Sequence, residues 1–478
     1  YIPDRKKEGY GPSIESFKKL IKKGVKVIFT VDCGTLSFDA INYAKKNNID
    51  VMVIDHHQSE VKLPDAFSII NPNRLDDKSN LQYLCAAGVT FMFLVSINRE
   101  LRSNNWFNKN KINEPNLINF LDLVSLGTVC DVVPLKGLNR AIVKQGLKII
   151  QSKKNLGIKT LLSICNIDTN PSTYHLGYIL GPRINAGGRV GKCSHGANLL
   201  LDKDPKNSFK LASELDQFNK ERQILEKDLL QKILNKTKNY LKDPVLILSG
   251  SNWHEGVIGI VAARLKDKFN KPTILISFDG NIGKASARSI VGFDIGSVII
   301  AASHKNILLK GGGHKMAGGF SIKLENIEKF RKFIFKKFES INENLKIEKP
   351  LLVDSIISPS AVNIEFYKKV ALLSPFGSGN PEPKFVIEDL KTINGKIVGE
   401  SHIKSVLIGK DGSTIKSIAF NSLEKDISPF LIKKNNKSFN IAGKLSLNEW
   451  KGQSNVEFII DDISVNKTVK NKVPSSIG

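Results

Sequence analysis

The pattern of apolar residues in the first sixty positions predicts helix, strand, helix and strand in turn. In "PSIESFKKLIKKG" apolar residues recur at helical spacing after Ser13, which suits a helix start, and Gly24 suits its end. "VKVIFTV" (25–31) has strand length, "SFDAINYAKKNN" is again helical, and "VMVI" (51–54) is a second strand. This order is typical of a right-handed βαβ unit, so we predict an α/β fold with a parallel sheet.

Longer patterns continue along the chain. Helical spacing recurs at 85–101 and 116–126, and no Gly or further Pro interrupts 205–243, which predicts a helix of up to roughly 55 Å. A helix that long is more typical of a connector between domains than of one compact core. Strand and helix patterns resume at "PVLILS" (244–249), and 385–465 consists of short apolar stretches broken by turns, as in a small β-barrel or sandwich. The predicted parts are an α/β domain at 1–204, a connecting helix at 205–243, a second α/β domain at 244–346 and a β-barrel domain at 347–478.

Acidic residues and two adjacent histidines stand where apolar strands end. Asp32 follows the first strand, and "VMVIDHHQSE" ends the second with Asp55, His56 and His57. The carboxyl ends of parallel strands meet at one edge of a sheet, where ligands of open α/β folds bind. "SLGTVCDVVPL" adds Asp131 in what we interpret as a turn of small residues. Carboxylate and imidazole together suit Mn²⁺ and similar ions, and two such ions about 3.5–4 Å apart can promote phosphoester hydrolysis. The alternative is a turn with two surface imidazoles.

Two glycine-rich segments could contact phosphate. In "GGGHKMAGGF" (311–320) the glycines would let backbone N–H groups of a loop approach an anion closely, and His314 adds a further donor. "LGPRINAGGRVGK" (180–192) supplies Arg183 and Arg189, whose guanidinium groups can bind phosphate oxygens in pairs. Taken alone, each segment is explained better as a purely structural turn.

Charge and cysteine content narrow the class of protein. The net charge of +25 favours a polyanionic partner, although a chain rich in Lys, Asn and Ile can also reflect an AT-rich gene. No apolar run approaches the roughly 18 residues of a membrane span. The five cysteines are odd in number, scattered and without a C-x-x-C pair, which argues against a disulfide framework or zinc ribbon and favours the cytoplasm.

The motifs resemble those of a known family. "VDCG", "IDHH" and "GTVCDVVPL" are similar, in this order, to the second, third and fourth motifs of the DHH phosphoesterases, and "GGGHKMAGGF" is similar to the signature of the DHH-associated domain. "WHEGVIGIVAARL" (253–265), "LSPFGSGNPEPKF" (373–385) and the opening "YIPDRKKEGYG" resemble segments of the RecJ family of single-strand-specific DNA exonucleases. The resemblance extends along nearly the whole chain.

This resemblance implies a fold, an activity and a set of metal ligands. The fold would be a parallel-sheet DHH domain, a long connecting helix, a DHH-associated domain and an OB-like barrel. The activity would be degradation of single-stranded DNA from the 5′ end, with two Mn²⁺ or Mg²⁺ ions, in recombination and repair. Asp32 would bridge the two ions, while His56 and Asp131 would complete one of them. Asp55 would orient a metal ligand without binding the metal itself, and His57 would face the scissile phosphate.

The resemblance also implies contacts and partners. Gly312, Gly313 and His314 would hold a DNA phosphate, with Arg183 and Arg189 as further candidates. Single-stranded DNA would be the substrate, and a helicase and a single-strand-binding protein would be possible partners.

The chain departs from the family at its start. Family members carry an Asp-x-Asp motif after an earlier strand, and no such motif precedes Asp32 in the printed sequence, which opens at Tyr1. We therefore expect the polypeptide as printed to be a fragment that is inactive or nearly so and poorly stable. Release of label from 5′-labelled single strands, measured with and without the upstream segment, tests this expectation. Full activity of the printed chain would contradict it.

Two other functions fit parts of the sequence. A DHH phosphodiesterase acting on oligoribonucleotides or small nucleotides would share the chemistry, but such enzymes usually end after the DHH-associated domain. A non-catalytic single-stranded-DNA-binding factor would share the fold, but it would not need the cluster of acids and imidazoles.

Overall fold

The computed structural model describes residues 1–4, 8–9, 11–342, 351–450 and 453–465. The chain divides into two compact units. One comprises Tyr1–Val133 with Ala141–Glu348, and the other comprises Pro134–Arg140 with Lys349–Gly478. Within the described residues, no helix is both long enough and apolar enough to cross a lipid bilayer.

A three-stranded parallel sheet opens the first unit, as the apolar pattern predicts. Its strands are β1 (Val27–Val31), β2 (Asp50–Ile54) and β3 (Ser68–Ile70), in that spatial order. Helix α1 (Ile14–Lys22) precedes the sheet, and α2 (Phe38–Lys46) connects β1 to β2. The predicted βαβ unit is therefore confirmed.

The start of α1 follows from its first residues. Ser13 is the N-cap, and its hydroxyl accepts a hydrogen bond from the backbone N–H of Ser16 at 3.1 Å. The Ser16 hydroxyl in turn accepts from the backbone N–H of Ser13 at 3.0 Å. This reciprocal capping satisfies two N–H groups that a helix start otherwise leaves without partners.

Helices cover most of the chain between the sheet and residue 237. They are α3 (Ala86–Ser103), α4 (Trp106–Lys109), α5 (Leu121–Cys130), α6 (Gly137–Gln151), α7 (Leu156–Ile164), α8 (Gly181–Val190), α9 (His195–Leu201) and α10 (Pro205–Thr237), with a 3₁₀ turn at Leu117–Phe120 and a π-helix at His175–Leu180. Helix α10 has 33 residues, a length of about 50 Å. Its Leu215 packs in one apolar core and its Ile233 in another, as a connecting helix requires.

The interpretation of "SLGTVC" as a turn is wrong, because these residues form the last part of α5, and Asp131 is the C-cap of that helix. The small residues serve close packing between helices. A Cβ atom on Gly127 would lie 2.8 Å from the Cβ of Ala87 on α3, so only glycine fits at this point.

A five-stranded sheet forms the second α/β region. Its strands are β4 (Leu246–Ser251), β5 (Thr273–Asp279), β6 (Ile282–Arg288), β7 (Lys310–His314) and β8 (Ala317–Lys323), in the spatial order β4-β5-β6-β8-β7, and its helices are α11 (Glu255–Phe269), α12 (Ile295–His304) and α13 (Ile327–Asn342). The segment "GGGHKMAGGF", interpreted as a glycine-rich loop, is instead the hairpin of β7 and β8. Its glycines allow close strand pairing, because a Cβ on Gly313 would lie 2.5 Å from the Cα of Gly318.

The second unit contains the predicted small barrel. Strands β9 (Ser355–Ile356), β10 (Phe385–Val398), β11 (His402–Ile408), β12 (Thr414–Ala419), β13 (Asn435–Trp450) and β14 (Gln453–Ser464) follow the order β11-β12-β14-β13-β10-β9, and a further β11–β10 pairing closes the sheet; α14 (Ile364–Ala371) and α15 (Ser428–Ile432) complete the unit. Its interior is apolar and includes Phe439 and Phe458, both buried. The α/β fold with a C-terminal barrel is thereby confirmed.

Candidate metal centre

Two aspartates continue the parallel ladder at the same edge of the first sheet. The backbone N–H of Asp32 donates to Ile54 O, and that of Asp55 donates to Ile70 O, each at 3.0 Å. Asp32 has φ +62°, in the left-handed region that Asp adopts more readily than most residues. The chain then turns sharply at Gly34, where φ is +117° and a Cβ would lie 2.5 Å from Thr30 Oγ1. This turn leaves the Asp32 carboxylate exposed at the edge.

Asp55 is buried, and its carboxylate accepts hydrogen bonds from several donors. Thr35 donates through its backbone N–H at 3.1 Å and its hydroxyl at 2.6 Å. The backbone N–H of His56 donates at 2.8 Å, and Nδ1 of His57 lies 2.7 Å from Oδ1. Burial raises the pKa of Asp55, but the hydrogen bonds from His57 and Thr35 outweigh it and hold that pKa well below its usual range. Asp55 is therefore ionised and turned toward its neighbours.

His56 has one defined tautomer in this arrangement. Its Nδ1 lies 3.2 Å from the carbonyl oxygen of Leu84, which only accepts, so Nδ1 carries a hydrogen. Its Nε2 lies 3.3 Å from Asp32 Oδ1 and 3.4 Å from Asp131 Oδ2. Burial lowers the pKa of His56, but the two carboxylates outweigh it and bring the pKa above its ordinary value.

Asp131 reaches this cluster from the end of α5. Its backbone N–H donates to Gly127 O at 2.9 Å, which fixes the residue as the helix cap. Burial raises the pKa of Asp131, the imidazole of His56 opposes this, and the nearby Asp32 carboxylate adds to it; the pKa stays above its ordinary value. Asp32, His56 and Asp131, far apart in sequence, thus converge on one place.

The donor set fits a divalent metal ion. In the neutral imidazole of His56, the Nε2 lone pair faces two carboxylate oxygens, an arrangement that is repulsive unless a proton or cation lies among the three groups. Adjacent ligands of an octahedral ion at 2.0–2.2 Å are about 3 Å apart, close to the observed spacings. The ligand atoms of Asp32, His56 and His57 also lie within 4.8 Å of one another. Burial raises the pKa of the nearby Cys33 and Cys130 thiols to about 11, so the centre offers oxygen and nitrogen ligands.

His57 connects this centre to the β7–β8 hairpin. Because its Nδ1 is bound to Asp55, its Nε2 edge is the one directed away from that carboxylate. The hydrogen bond to Asp55 raises the pKa of His57 above its ordinary value. The ring stacks on that of His314, with centroids 5.7 Å apart and planes at 23°. Gly312 and Gly313 precede His314 in the same strand, so the three predicted phosphate-binding residues are consecutive on the strand whose His314 reaches His57.

The two predicted arginines have protein partners. Arg183 donates through Nε to Asp216 at 2.8 Å and through Nη1 to Ile179 O at 2.9 Å. Arg189 donates through Nη1 to Gly256 O at 2.9 Å. These partners lie on α10, in the π-helix and on α11, and the role of both arginines in binding phosphate stays a prediction.

Several supporting residues were not predicted from the sequence. Asn71 Nδ2 donates to the Thr35 hydroxyl and to the backbone oxygen of His57, each at 2.8 Å, and Asn73 Nδ2 donates to the backbone oxygen of His56 at 2.6 Å. The short segment "NPN" directly after β3 was the available signal, since it follows a strand at the same sheet edge. The contact with Leu84 O leaves no signal in the sequence, because any residue has a carbonyl.

Arg288 is a further cation that was not predicted. It lies in one cross-strand row with Ala317 and His314, since β6 pairs with β8 and β8 with β7 at these residues. Its guanidinium donates to Ser286 Oγ and Ala287 O, and burial lowers the pKa of Arg288. No carboxylate lies within ion-pair distance of it in the described part of the chain. A desolvated cation of this kind favours an anionic ligand.

Family comparisons agree with this architecture. Residues 1–128 match the DHH family N-terminal domain, 225–340 match the DHHA1 domain, and 353–462 match the RecJ OB domain. The single-stranded-DNA-specific exonuclease RecJ of Haemophilus influenzae is 34% identical over 97% of this chain and 81% of its own length. RecJ of Escherichia coli is 34% identical over the same shares, and RecJ of Bacillus subtilis is 30% identical over 98% of this chain and 57% of its own length.

Solved structures give the same result. RecJ from Thermus thermophilus in complex with Mn²⁺ has a TM-score of 0.78 and 26% identity, covering 95% of this chain and 64% of that one. A manganese-bound exonuclease RecJ has a TM-score of 0.59 and 28% identity, covering 72% of this chain and 84% of that one. The chain belongs to the RecJ family of exonucleases, a group of phosphodiester hydrolases within the DHH superfamily.

Proposed function

We propose that this protein degrades single-stranded DNA from the 5′ end, using Mn²⁺ or Mg²⁺, in DNA recombination and repair. The observation that carries the proposal is the convergence of His56 Nε2 with the Asp32 and Asp131 carboxylates, at 3.3 and 3.4 Å, in a RecJ-family chain. The 5′ polarity comes from the family resemblance and has no separate support in these side chains.

Asp32, His56 and Asp131 would hold the metal, and the family resemblance implies that Asp32 would serve a second ion as well. A divalent ion held there would supply positive charge to stabilise the charge that develops on the phosphate oxygens. The carbonyl of Leu84 keeps the hydrogen of His56 on Nδ1 and so presents the Nε2 lone pair to the ligand side. Isothermal titration of Mn²⁺ into the His56→Ala variant tests this assignment, and affinity equal to that of the unaltered protein would disprove it.

His57 and Asp55 would act together on the phosphate. Asp55 accepts a hydrogen bond from Nδ1–H of His57 and thereby raises the pKa of His57, so the ring holds a second proton on Nε2 more readily than a free imidazole does. That Nε2–H is directed away from Asp55 and could donate to a phosphate oxygen. His57→Gln should lower kcat far more than it lowers Mn²⁺ affinity; equal losses in both would contradict this role.

The hairpin and the arginines would contact the DNA backbone. Gly312, Gly313 and His314 would supply backbone and imidazole donors, and Arg288 stands in the same cross-strand row as His314. Arg183 and Arg189 stay candidates on α8. Arg288→Gln should weaken binding of a single-stranded oligonucleotide, while Lys284→Gln, an exposed change on the same strand, should not. Equal effects of the two changes on oligonucleotide binding would show that Arg288 is not one of the residues that contact the DNA backbone.

The second unit supports a long substrate strand over a dinucleotide. The small barrel matches the RecJ OB domain, and barrels of this class bind extended single strands. A net charge of +25 also favours a polyanion over a dinucleotide. Long single strands should therefore be cleaved with higher kcat/KM than dinucleotides.

A single assay separates the alternatives. The complete product of the gene is incubated with Mn²⁺ and single strands labelled at the 5′ or the 3′ end, with duplex DNA and a dinucleotide for comparison. Early release of 5′ label from single strands alone supports the proposal. Preference for the dinucleotide would favour a small-nucleotide phosphodiesterase, and binding without cleavage would favour a non-catalytic factor.

Partners and compartment complete the proposal. A helicase and a single-strand-binding protein would supply and coat the substrate strand, and co-purification with tagged protein tests for them. All five cysteines are free, in keeping with a reducing cytoplasm. Cell fractionation that placed the protein outside the cytoplasm would contradict this assignment.

A further inference from the structure

Two segments that the proposed chemistry leaves unused meet inside the second unit. The segment Pro134–Arg140, just after the metal-centre helix α5, groups with the C-terminal unit. It contacts the loop formed by residues 373–380, "LSPFGSGN". The backbone N–H of Leu135 donates to Ser378 O at 2.6 Å, and Nη2 of Arg140 donates to Leu373 O at 2.7 Å.

The contact is close enough to require glycine in the loop. A Cβ on Gly377 would lie 2.7 Å from Leu135 Cδ1, and one on Gly379 would lie 2.8 Å from Pro134 Cβ. Leu135 is 2% exposed, so the loop and its surroundings enclose the side chain almost completely. Burial of a leucine side chain is strongly stabilising, so this contact anchors the segment.

The 373–380 loop is itself closed by hydrogen bonds. Gly377 N–H donates to Asn380 O at 2.9 Å, and Asn380 N–H donates back to Gly377 O at 3.2 Å. The Asn380 side chain donates to Leu373 O at 3.0 Å and to Pro375 O at 2.9 Å. The loop therefore offers a fixed surface to Pro134 and Leu135.

The anchored segment begins three residues after Asp131. Between them Val132 has φ +59° and is 69% exposed. A β-branched residue in the left-handed region is strained and persists only where flanking structure holds it. On one side the N–H of Val132 donates to Val129 O at 3.2 Å, which continues α5. On the other side the anchor at Pro134 and Leu135 supplies the constraint.

We propose that the 373–380 loop is a positioning element for Asp131: by holding Pro134 and Leu135 it maintains the strained Val132 turn and keeps the carboxylate directed at the metal. This inference rests on the proposed role of Asp131 as a metal ligand. The role of "LSPFGSGN" is then to couple the C-terminal unit to metal affinity through three residues of chain.

Two glycines provide a matched test. Gly379 has φ +68° and touches Pro134, whereas Gly412 has φ +79° and a Cβ there would meet nothing within 4 Å. Alanine is strained at both positions, but only Gly379→Ala pushes on the anchored segment. Mn²⁺ affinity is measured by titration with electron paramagnetic resonance on the complete gene product. Gly379→Ala should weaken Mn²⁺ binding about 10- to 100-fold, as loss of ligand support does, and Gly412→Ala should change it less than about twofold.

Controls separate failure of this inference from failure of the ligand role. Asp131→Asn should lose Mn²⁺ affinity regardless of the loop. If Asp131→Asn binds normally, the proposed ligand is wrong. If Asp131→Asn loses affinity while Gly379→Ala does not, the positioning role is wrong. Leu135→Ala removes the anchored side chain without adding bulk and should reproduce the Gly379→Ala loss; where Gly379→Ala does not fold, this variant alone decides the matter.

Discussion

At the scale of single residues, the metal centre depends on which nitrogen of each histidine carries a hydrogen. The carbonyl of Leu84 fixes it on Nδ1 of His56, and the Asp55 carboxylate fixes it on Nδ1 of His57. Both rings therefore direct Nε2 away from these partners. Asp55 holds more of the surrounding structure than the Leu84 carbonyl does, because its ionised carboxylate also accepts hydrogen bonds from Thr35 and from the backbone N–H of His56.

Removing this charge should weaken the centre without replacing any of the proposed metal ligands. In Asp55→Asn, one of the side-chain oxygens that accept from Thr35 and His57 becomes an amide donor, which faces other donors. The pKa of His57 should then fall toward its ordinary value, and Mn²⁺ affinity should drop about 10- to 100-fold in calorimetric titration. Asp39→Asn, at an exposed position in α2, is the control and should bind normally. Unchanged affinity in Asp55→Asn would refute the orienting role.

At the scale of elements, the sequence predicts those helices and strands that are specified by residues close to one another along the chain. The apolar periods locate β1, α2 and β2, and Ser13 marks the start of α1, because these features depend on neighbours along the chain. The segments around Gly127 and Gly313 were wrongly predicted to be a turn and a loop. Both glycines instead allow close packing, Gly127 between two helices and Gly313 between two strands. Contacts such as Leu84 to His56, or Ser378 to Leu135, involve backbone carbonyls and so have no residue-specific signal.

Helix α10 is joined to α8 by the ion pair of Asp216 with Arg183, and this pair should make the stability of the protein depend on pH. Burial raises the pKa of Asp216, but Lys220 and Arg183 outweigh it, and the pKa lies below its ordinary value. A lowered carboxyl pKa stabilises the fold above the unfolded-state pKa of about 3.9, and this contribution is lost as pH falls through the folded-state pKa.

Asp216→Asn should therefore destabilise the protein by about 1–3 kcal/mol at pH 7, where its partners lose a charged acceptor. The difference from the unaltered protein should shrink as pH falls below about 4. Thermal denaturation across this pH range measures it, and Asp228→Asn, an exposed change on the same helix, serves as the reference. A difference that stayed constant with pH would mean that the carboxylate charge of Asp216 contributes nothing.

At the scale of the whole molecule, the net charge of +25 should make the affinity for single-stranded DNA depend on salt concentration. Release of counterions from a single strand makes log K fall with log[salt] with a slope of about −0.7 per phosphate contacted. With four or more contacts, affinity for a single strand should fall about 50-fold or more between 50 and 200 mM salt. Fluorescence anisotropy in EDTA measures this without cleavage. An affinity that did not change with salt concentration would show that the positive side chains do not bind the DNA phosphates.

The strongest test at this scale separates binding of the strand from its cleavage. Asp131 contributes to the centre and not to the barrel, so Asp131→Ala should leave single-strand affinity in EDTA within about twofold, since the phosphate contacts that set it persist. Cleavage with Mn²⁺ should fall by more than about a hundredfold, beyond the loss typical of groups that only support a ligand. Glu255→Ala, an exposed acid at the start of α11, should alter neither quantity. Parallel loss of binding and cleavage in Asp131→Ala would instead mean that the carboxylate maintains the fold, because a metal ligand has no part in strand binding once EDTA has removed the ion.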